Sequence, residues 1–438
     1  MEDRAHTCLS ALEYGMVLEC LSFGNRQTRM RRAIVIGGSL GGLFVGNTLL
    51  RSGWDVTIVE RSREQLEGRG AGLGVHPPMI QGLLAAGVEV DGSIGVAVGG
   101  RTAFARDGTI AGEIHMPQFC TSWARLYSML SAAFPEQRIR RGAALTGFAE
   151  DHEGVTARLA DDSEIRGDVL IAADGVRSTV RRQMFPEVDL VYAGYIGWRG
   201  MVEEATLTPA AHAAIFHRFG WGLLDGEHIL GYPAPGALDD LTPGRRRYSF
   251  VWYRPVDAST TLAEMQTDAT GHVHTEGIPP HLIRQEVVAA LRRDAEALLP
   301  PVFAEIVRTS AQPLFQPVGD LESPMMRGRR VALLGDAAFV ARPHVAKGAI
   351  KAGHDAIELA AALAVADVED ALARYDAVRR PASKLVVDES RRLGAYIEGK
   401  GKRTADPVTF KRENGGVETS NRADGGLFFR LLAKAGFD

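Results

Sequence analysis

Residues 31–60, RRAIVIGGSLGGLFVGNTLLRSGWDVTIVE, run as a short β-branched apolar stretch, a glycine-rich turn, an amphipathic segment, Gly53, and a second apolar stretch ending in Glu60. This order predicts strand, helix and strand, the βαβ unit of a dinucleotide-binding domain. Two later apolar runs, DVLIAA at 168–173 and RVALL at 330–334, meet Asp174-Gly175 and Gly335-Asp336. Each sets an acid at the end of a buried strand, where open α/β sheets bind ligands. Between residues 192 and 255 the pattern turns alternating and aromatic-rich, as in YAGYIGWRGMV and RYSFVWYRPV, which predicts antiparallel strands. Residues 266–280 read as a loop, about 281–299 as a helix, and 348–396 as helical with a break at Pro381.

The expected fold is α/β: a Rossmann-like domain from 31–180 and 320–396, an inserted β-sheet domain from 181–319, and C-terminal helices. Met30 stands directly before the first strand, so residues 1–29 read as an extension outside the core. Residues 397–438 form a polar, glycine-rich tail with an apolar LFFRLL turn. The chain shows no internal repeat and no low-complexity tract.

Composition narrows the function classes. Lys+Arg 50 against Asp+Glu 54 gives 50 − 54 = −4, so nothing marks nucleic acid or an anionic membrane as partner, since both need a basic footprint. The 438 residues, 45% hydrophobic and 24% charged, are those of a globular chain with a core of normal size. Three cysteines, Cys8, Cys20 and Cys120, without CxxC spacing, support neither a disulfide framework nor a metal site. A reducing cytoplasm fits. The stretch LAAALAVA at 359–366 is too short to cross a bilayer, and residues 1–29 lack the pattern of a signal peptide.

In the glycine loop, backbone N–H groups and the positive helix end are suited to a pyrophosphate. Gly37 makes the tight turn, Gly42 lets helix and strand pack closely, and Ser39 stands where the usual fingerprint has its second glycine. Leu40 belongs to the same loop. Glu60 lies at the offset of a ribose-binding acid, and Arg61 follows it. The motif calls for an adenine dinucleotide without choosing between NAD and FAD. Asp174 and Asp336 suit either helix capping or hydroxyl-rich ligands.

Three segments together, the glycine loop, DVLIAADGVRSTVR at 168–181 and GDAAFVARPHVAKGAIKAGHDA at 335–356, resemble the single-component FAD-dependent aromatic hydroxylases of the para-hydroxybenzoate hydroxylase type. The resemblance runs from residue 31 to about 395. Within that family the 2,6-dihydroxypyridine 3-hydroxylase-like branch is the nearest, on GGSLGG, RGAGLGV at 69–75, YAGYIGWRG at 192–200, FVWYRP at 250–255 and the PHxxxG form of Pro343 to Gly348. The resemblance implies FAD as cofactor, NADH or NADPH as co-substrate with NADH favoured, and O₂. It also implies transfer of oxygen from a flavin C4a-hydroperoxide to an electron-rich ring. By the same resemblance Asp174-Gly175 lies where FAD and the nicotinamide nucleotide pass, Asp336 of the Gly335-Asp336 pair contacts the ribityl chain, and Gly348 opens a helix whose dipole faces the flavin. Departures are visible: Ala346 replaces the first glycine of the usual PxxGQG turn, Ile350 its asparagine, and Trp123 a cofactor-binding arginine. Arg125 and Arg69 are the nearby substitutes for the pyrophosphate.

The expected substrate is a small hydroxylated aromatic, a hydroxypyridine-type heteroaromatic or a phenol, in a water-excluded site under the inserted sheet. Its hydroxyl needs a base or acceptor, for which His344, His76 and Tyr195 are the candidates. Trp198, Trp252, Tyr232 and Pro343 are candidate pocket walls, with Trp221 and Tyr253 beside them, and Arg199 is a candidate anion partner. Strand alternation sets Trp252 with Phe250 on one face and Tyr253 with Val251 on the other. Alternatives are an epoxidase or other oxidative tailoring enzyme on the same frame, or a non-catalytic flavoprotein; the WxWxIP element of flavin halogenases is absent. A homodimer is left open.

Overall fold

The computed structural model describes residues 30–66, 72–275 and 277–398. The expected extension at 1–29 and nearly all of the 397–438 tail lie outside them, as does Arg69. In chain order the strands are β1 (Arg32–Ile36), β2 (Asp55–Glu60), β3 (Gly72–Val75), β4 (Val96–Phe104), β5 (Ile110–Ser122), β6 (Ile139–Arg141), β7 (Leu145–Glu150), β8 (Val155–Leu159), β9 (Glu164–Gly167) and β10 (Val169–Ala172). Seven more follow: β11 (Val191–Glu203), β12 (Phe219–Leu224), β13 (Glu227–Ala234), β14 (Arg247–Pro255), β15 (Leu314–Glu322), β16 (Val331–Leu333) and β17 (Phe339–Val340).

The first sheet is parallel, in the order β16-β10-β1-β2-β6. Strand β1 lies at its centre, and Ala33 to Ile36 are buried in succession, the signature of a parallel strand covered on both faces. The Leu40–Arg51 helix joins β1 to β2, and Leu43, Phe44 and Leu49 of this helix enter the core on the sheet. Both acid-bearing runs foreseen from the sequence are strands of this sheet, β10 and β16, so their acids come to the same edge.

The second sheet has nine strands, β17-β15-β11-β14-β13-β12-β4-β5-β3. It draws β3, β4 and β5 from residues 72–122 as well as strands from 191–340, so the chain enters this sheet twice before 181. Hydrophobic alternation along so short a β3, GLGV, carries too little signal to assign it to one sheet or the other. A third sheet, β7-β8-β9, is a small antiparallel meander.

The outer face of the large sheet is covered by the Gln285–Leu298 and Pro301–Thr309 helices, which bury Leu291, Phe303 and Ile306 against Trp198, Phe250 and Trp252. The opposite face carries Tyr195, Val251, Tyr253, Tyr232, Phe219 and Trp221. The C-terminal helical region is two helices, Gly348–Val365 and Val368–Gly394, and the break falls at Asp367, whose carboxylate accepts from Asp370 N at 3.1 Å. Pro381, expected to interrupt it, lies inside the second helix. Burial of Leu372, Tyr375, Arg379, Ser383 and Val387 along that helix outweighs the local cost of one proline. Among the described residues no helix is long and apolar enough to cross a membrane.

Candidate active site

The C-terminal edge of the parallel sheet opens into a cavity of ≈ 510 Å³, within the range of ligand clefts. Gly37, Ser39, Leu40, Glu60, Arg61, Asp174, Gly335, Asp336 and Gly348 all border it. Gly37 has φ +102°, and a Cβ there would lie 2.4 Å from Ala173 O, so no other residue fits this turn. Gly42 is not on the cavity wall. A Cβ on it would come within 1.8 Å of Gly37 O, so its part is the close packing of helix on turn. Ser39 precedes the first helical turn and its hydroxyl makes no capping bond.

Glu60 is buried and accepts from Gly38 N at 2.7 Å and Ser62 N at 2.8 Å, so one carboxylate shapes the turn and borders the cavity. Asp174 combines both roles open to it from the sequence. Its Oδ2 caps the Thr179–Met184 helix through Thr179 N at 2.8 Å, whereas its enclosed Oδ1 has no hydrogen-bond partner. Burial raises its pKa, against hydrogen bonds from Ser178 and Thr179 that lower it. Asp336 is an exposed residue bordering the cavity, and desolvation by the surrounding protein raises its pKa; Lys351 opposes this and Asp355 adds to it. Arg181 donates to Ala337 O at 3.1 Å and Val176 O at 2.6 Å, tying the two acid-bearing loops together. The turn, the orphaned Asp174 oxygen and the row of acceptors suit a large polyhydroxylated dinucleotide.

Arg125 is directed elsewhere, donating to Ser93 Oγ at 2.8 Å and facing Asp239 at 3.9 Å. Its neighbour Trp123 borders the cavity instead, stacked on Tyr127 with centroids 5.1 Å apart. Arg177 borders it as well and was missed in the sequence, although it stands inside the DGVRST segment. Ala346, at the family's glycine position, takes φ +50°, a left-handed conformation that strains a residue with a Cβ.

Between cavity-lining Asp336 and Gly348, the Pro343–Val345 turn carries His344 onto the second sheet. Tyr195 Oη and His344 Nε2 lie 2.7 Å apart, and the His344 ring packs against Tyr253 at 4.5 Å and His228 at 5.4 Å. Burial raises the Tyr195 pKa, opposed by Arg342. Tyr232 is on the same face, stacked on Phe219 at 4.8 Å, with its hydroxyl donating to Gly72 O at 2.5 Å. Arg199 is half-buried on this face, in register with Val251. Pro343 is half-buried at the head of the turn. His76 stands at the start of the Pro77–Ala85 helix without a side-chain capping bond, its ring beside Gly74.

Trp198 and Trp252 are corrected. They pair across β11 and β14 but point to the outer face, Trp198 against Phe315 at 5.0 Å and Trp252 under Arg254. The period of two that sets Tyr195, Arg199 and Tyr253 inward sends both indoles outward, where the covering helices bury them.

The geometry defines a flavoprotein class: a parallel dinucleotide-binding sheet joined to a large antiparallel sheet with an aromatic face. A FAD binding domain-like family model matches residues 192–320. The 2,6-dihydroxypyridine 3-monooxygenase of Paenarthrobacter nicotinovorans is 33% identical over 334 residues, 75% of this chain and 82% of that protein. The FAD-dependent urate hydroxylase of Klebsiella pneumoniae is 29% identical over 392 residues, 84% and 91%. The solved 2,6-dihydroxypyridine-3-hydroxylase of Arthrobacter nicotinovorans superposes with a TM-score of 0.80 at 28% identity, covering 87% of this chain and 96% of its own. This chain therefore belongs to the FAD-dependent aromatic hydroxylases, in the hydroxypyridine hydroxylase branch. It is a FAD-binding monooxygenase.

Proposed function

We propose that this monooxygenase hydroxylates a small hydroxylated aromatic, a hydroxypyridine-type N-heteroaromatic ahead of a phenol, with O₂ and NAD(P)H as co-substrates, NADH ahead of NADPH. The observation that carries the reading is the Tyr195–His344 hydrogen bond on an aromatic face, in the turn that leads into the cavity-lining Gly348–Val365 helix. The substrate class draws support from relatives named for 2,6-dihydroxypyridine and urate. In this reading residues 31–180 and 320–396 hold the cofactor and 181–319 the substrate, with β3, β4 and β5 completing the substrate sheet. The cytoplasm is the proposed location, and a homodimer the assembly to test.

FAD, when bound, supplies electron transfer from the nicotinamide nucleotide and activation of O₂. Ser39, Leu40 and Gly348 would offer backbone N–H groups and helix N-termini to its phosphates and ring, with Arg61 as a cation, while Gly37, whose own N–H donates to Val59 O at 2.8 Å, shapes the turn. Glu60, Asp174 and Asp336 accept from hydroxyls, and Gly335 keeps the backbone close. On the substrate side, burial keeps Tyr195 protonated at neutral pH, and in this reading its hydroxyl donates to His344 Nε2 at 2.7 Å, with the imidazole proton on Nδ1. A ring hydroxyl donating to Tyr195 Oη passes its proton to that oxygen as the Tyr195 proton moves to His344 Nε2, leaving an imidazolium and an ionised ring that is the better nucleophile. His76 is the second histidine in this reading. Tyr253, Tyr232, Phe219 and Trp221 exclude water from the reacting atoms.

The test is NADH and NADPH oxidation by the FAD-loaded protein with a panel of hydroxypyridines and phenols, recording oxygen uptake and product mass. One ring compound that accelerates oxidation and gains one oxygen atom supports the proposal. Yellow protein whose NAD(P)H oxidation no aromatic affects overturns it.

A further inference from the structure

The Val368–Gly394 helix ends against the Tyr195–His344 pair. A Cβ on Gly394 would lie 2.6 Å from Tyr195 Oη, 3.1 Å from Arg342 Nη1 and 3.3 Å from His344 Cδ2. Tyr195 Oη and His344 Nε2, 2.7 Å apart, therefore meet beside the space that a side chain at 394 would take. The backbone does not call for glycine here, because Gly394 is buried in the last helical turn and its φ is not positive. Alanine is the better helix former at such a position. What the glycine leaves open is room for the Tyr195 hydroxyl.

Neither side of this contact gives way easily. The Tyr195 ring is fully buried and stands edge-on to Tyr253 with centroids 6.2 Å apart, so its oxygen moves only if the whole ring moves. The helix end is fastened to the turn that carries His344. Ser390 Oγ accepts from Arg342 N at 3.0 Å, Asp320 pairs with Arg342 at 2.7 Å and with Arg391 at 2.5 Å, and Glu398 pairs with Arg342. Beyond the helix, Tyr396 and Ile397 are buried in the same cluster as Tyr195, Tyr232 and Tyr253, and Tyr396 Oη donates to Glu227 O at 3.3 Å. A larger residue at 394 thus meets a packed ring on one side and a tethered helix on the other, and the strain falls on the Tyr195–His344 distance.

We propose that Gly394 is a positioning residue of the active site: the gap it leaves lets the Tyr195 hydroxyl reach His344, and the helix end, tied to Arg342, holds the two together. Gly394 acts through Tyr195. The inference rests on the reading of the Tyr195–His344 pair as the group that takes the substrate proton, and it gives the C-terminal helix a part in that step.

The test is a double-variant cycle in the FAD-loaded protein: Gly394→Ala, Tyr195→Phe and both together. The substrate is whichever hydroxypyridine or phenol wild type hydroxylates, 2,6-dihydroxypyridine being tried first. Gly394→Ala is expected to lower kcat for product by roughly 10²-fold with KM and FAD content near wild type, as Tyr195→Phe does, and the double variant to be no slower than Tyr195→Phe alone. Gly394→Ala should lower Tm in the wild-type background and raise it in Tyr195→Phe, where the obstructing oxygen is gone and the helix preference of alanine remains. An unchanged kcat in Gly394→Ala, losses that multiply in the double variant, or a Tm shift of the same sign in both backgrounds would overturn the inference while leaving the reading of the pair intact. If Gly394→Ala does not fold with FAD, the double variant decides: recovered FAD content supports the inference, and no recovery overturns it. If wild type hydroxylates no ring compound, or Tyr195→Phe is as fast as wild type, the reading of the pair fails and the inference with it.

Discussion

Asp336 is an exposed carboxylate on the cavity wall, and the protein around it, with Asp355 and against Lys351, raises its pKa above 3.8. A raised folded-state pKa means that folding disfavours the ionised form, so stability is lost as pH rises from 3.8 through the raised value, and the full penalty is present at neutral pH. Asp336→Asn removes that penalty: the FAD-free protein should melt at a higher temperature at neutral pH, with the difference vanishing below 3.8, while FAD binding weakens. Thermal melts across pH and fluorescence quenching of FAD read the two opposite signs; a purely structural Asp336 would move only the first. At the Tyr195–His344 pair, Tyr195→Phe deletes one hydrogen bond and should cost about 1 kcal/mol of stability. If that pair handles the substrate proton, product formation should slow by roughly 10²-fold with FAD content unchanged, as single-turnover product analysis would show.

Among the elements, β11 and β14 divide the aromatic residues between two environments. Trp252 is fully buried against the covering helices, so Trp252→Ala should destabilise by about 3–5 kcal/mol, seen as a large drop in Tm. In whatever fraction folds, KM for the substrate should stay near wild type, because the indole is on the face opposite Tyr195 and Tyr253; a large KM change would return Trp252 to the substrate site. Alternation in RYSFVWYRP was legible and correctly separated Trp252 from Tyr253. Which of the two faces looked onto the cavity was not, since a strand has two equivalent sides until another layer covers one. Pro381 shows the converse: a strong local signal against helix is overruled by side chains buried along its whole length.

For the whole molecule, one cavity is walled by the ends of β1, β2, β10 and β16 and by the helix that follows Gly348. A ligand there binds only the folded state, so FAD at 100 times its Kd should stabilise the protein by about 2.7 kcal/mol, and Tm should rise with the logarithm of FAD concentration. A Tm independent of FAD would contradict the site. The sequence by itself determined the βαβ unit, the acids at the ends of β10 and β16, the glycines of the turn and the family, because local periodicity, turn chemistry and motif order are written in contiguous residues. Only the tertiary structure decided that Trp123 and Arg177 border the cavity while Arg125 turns to Ser93, that β3, β4 and β5 join the second sheet, and that Tyr195 meets His344 across 149 positions. Those outcomes depend on which faces and loops pack together, and long-range packing leaves no trace in the spacing of neighbouring residues.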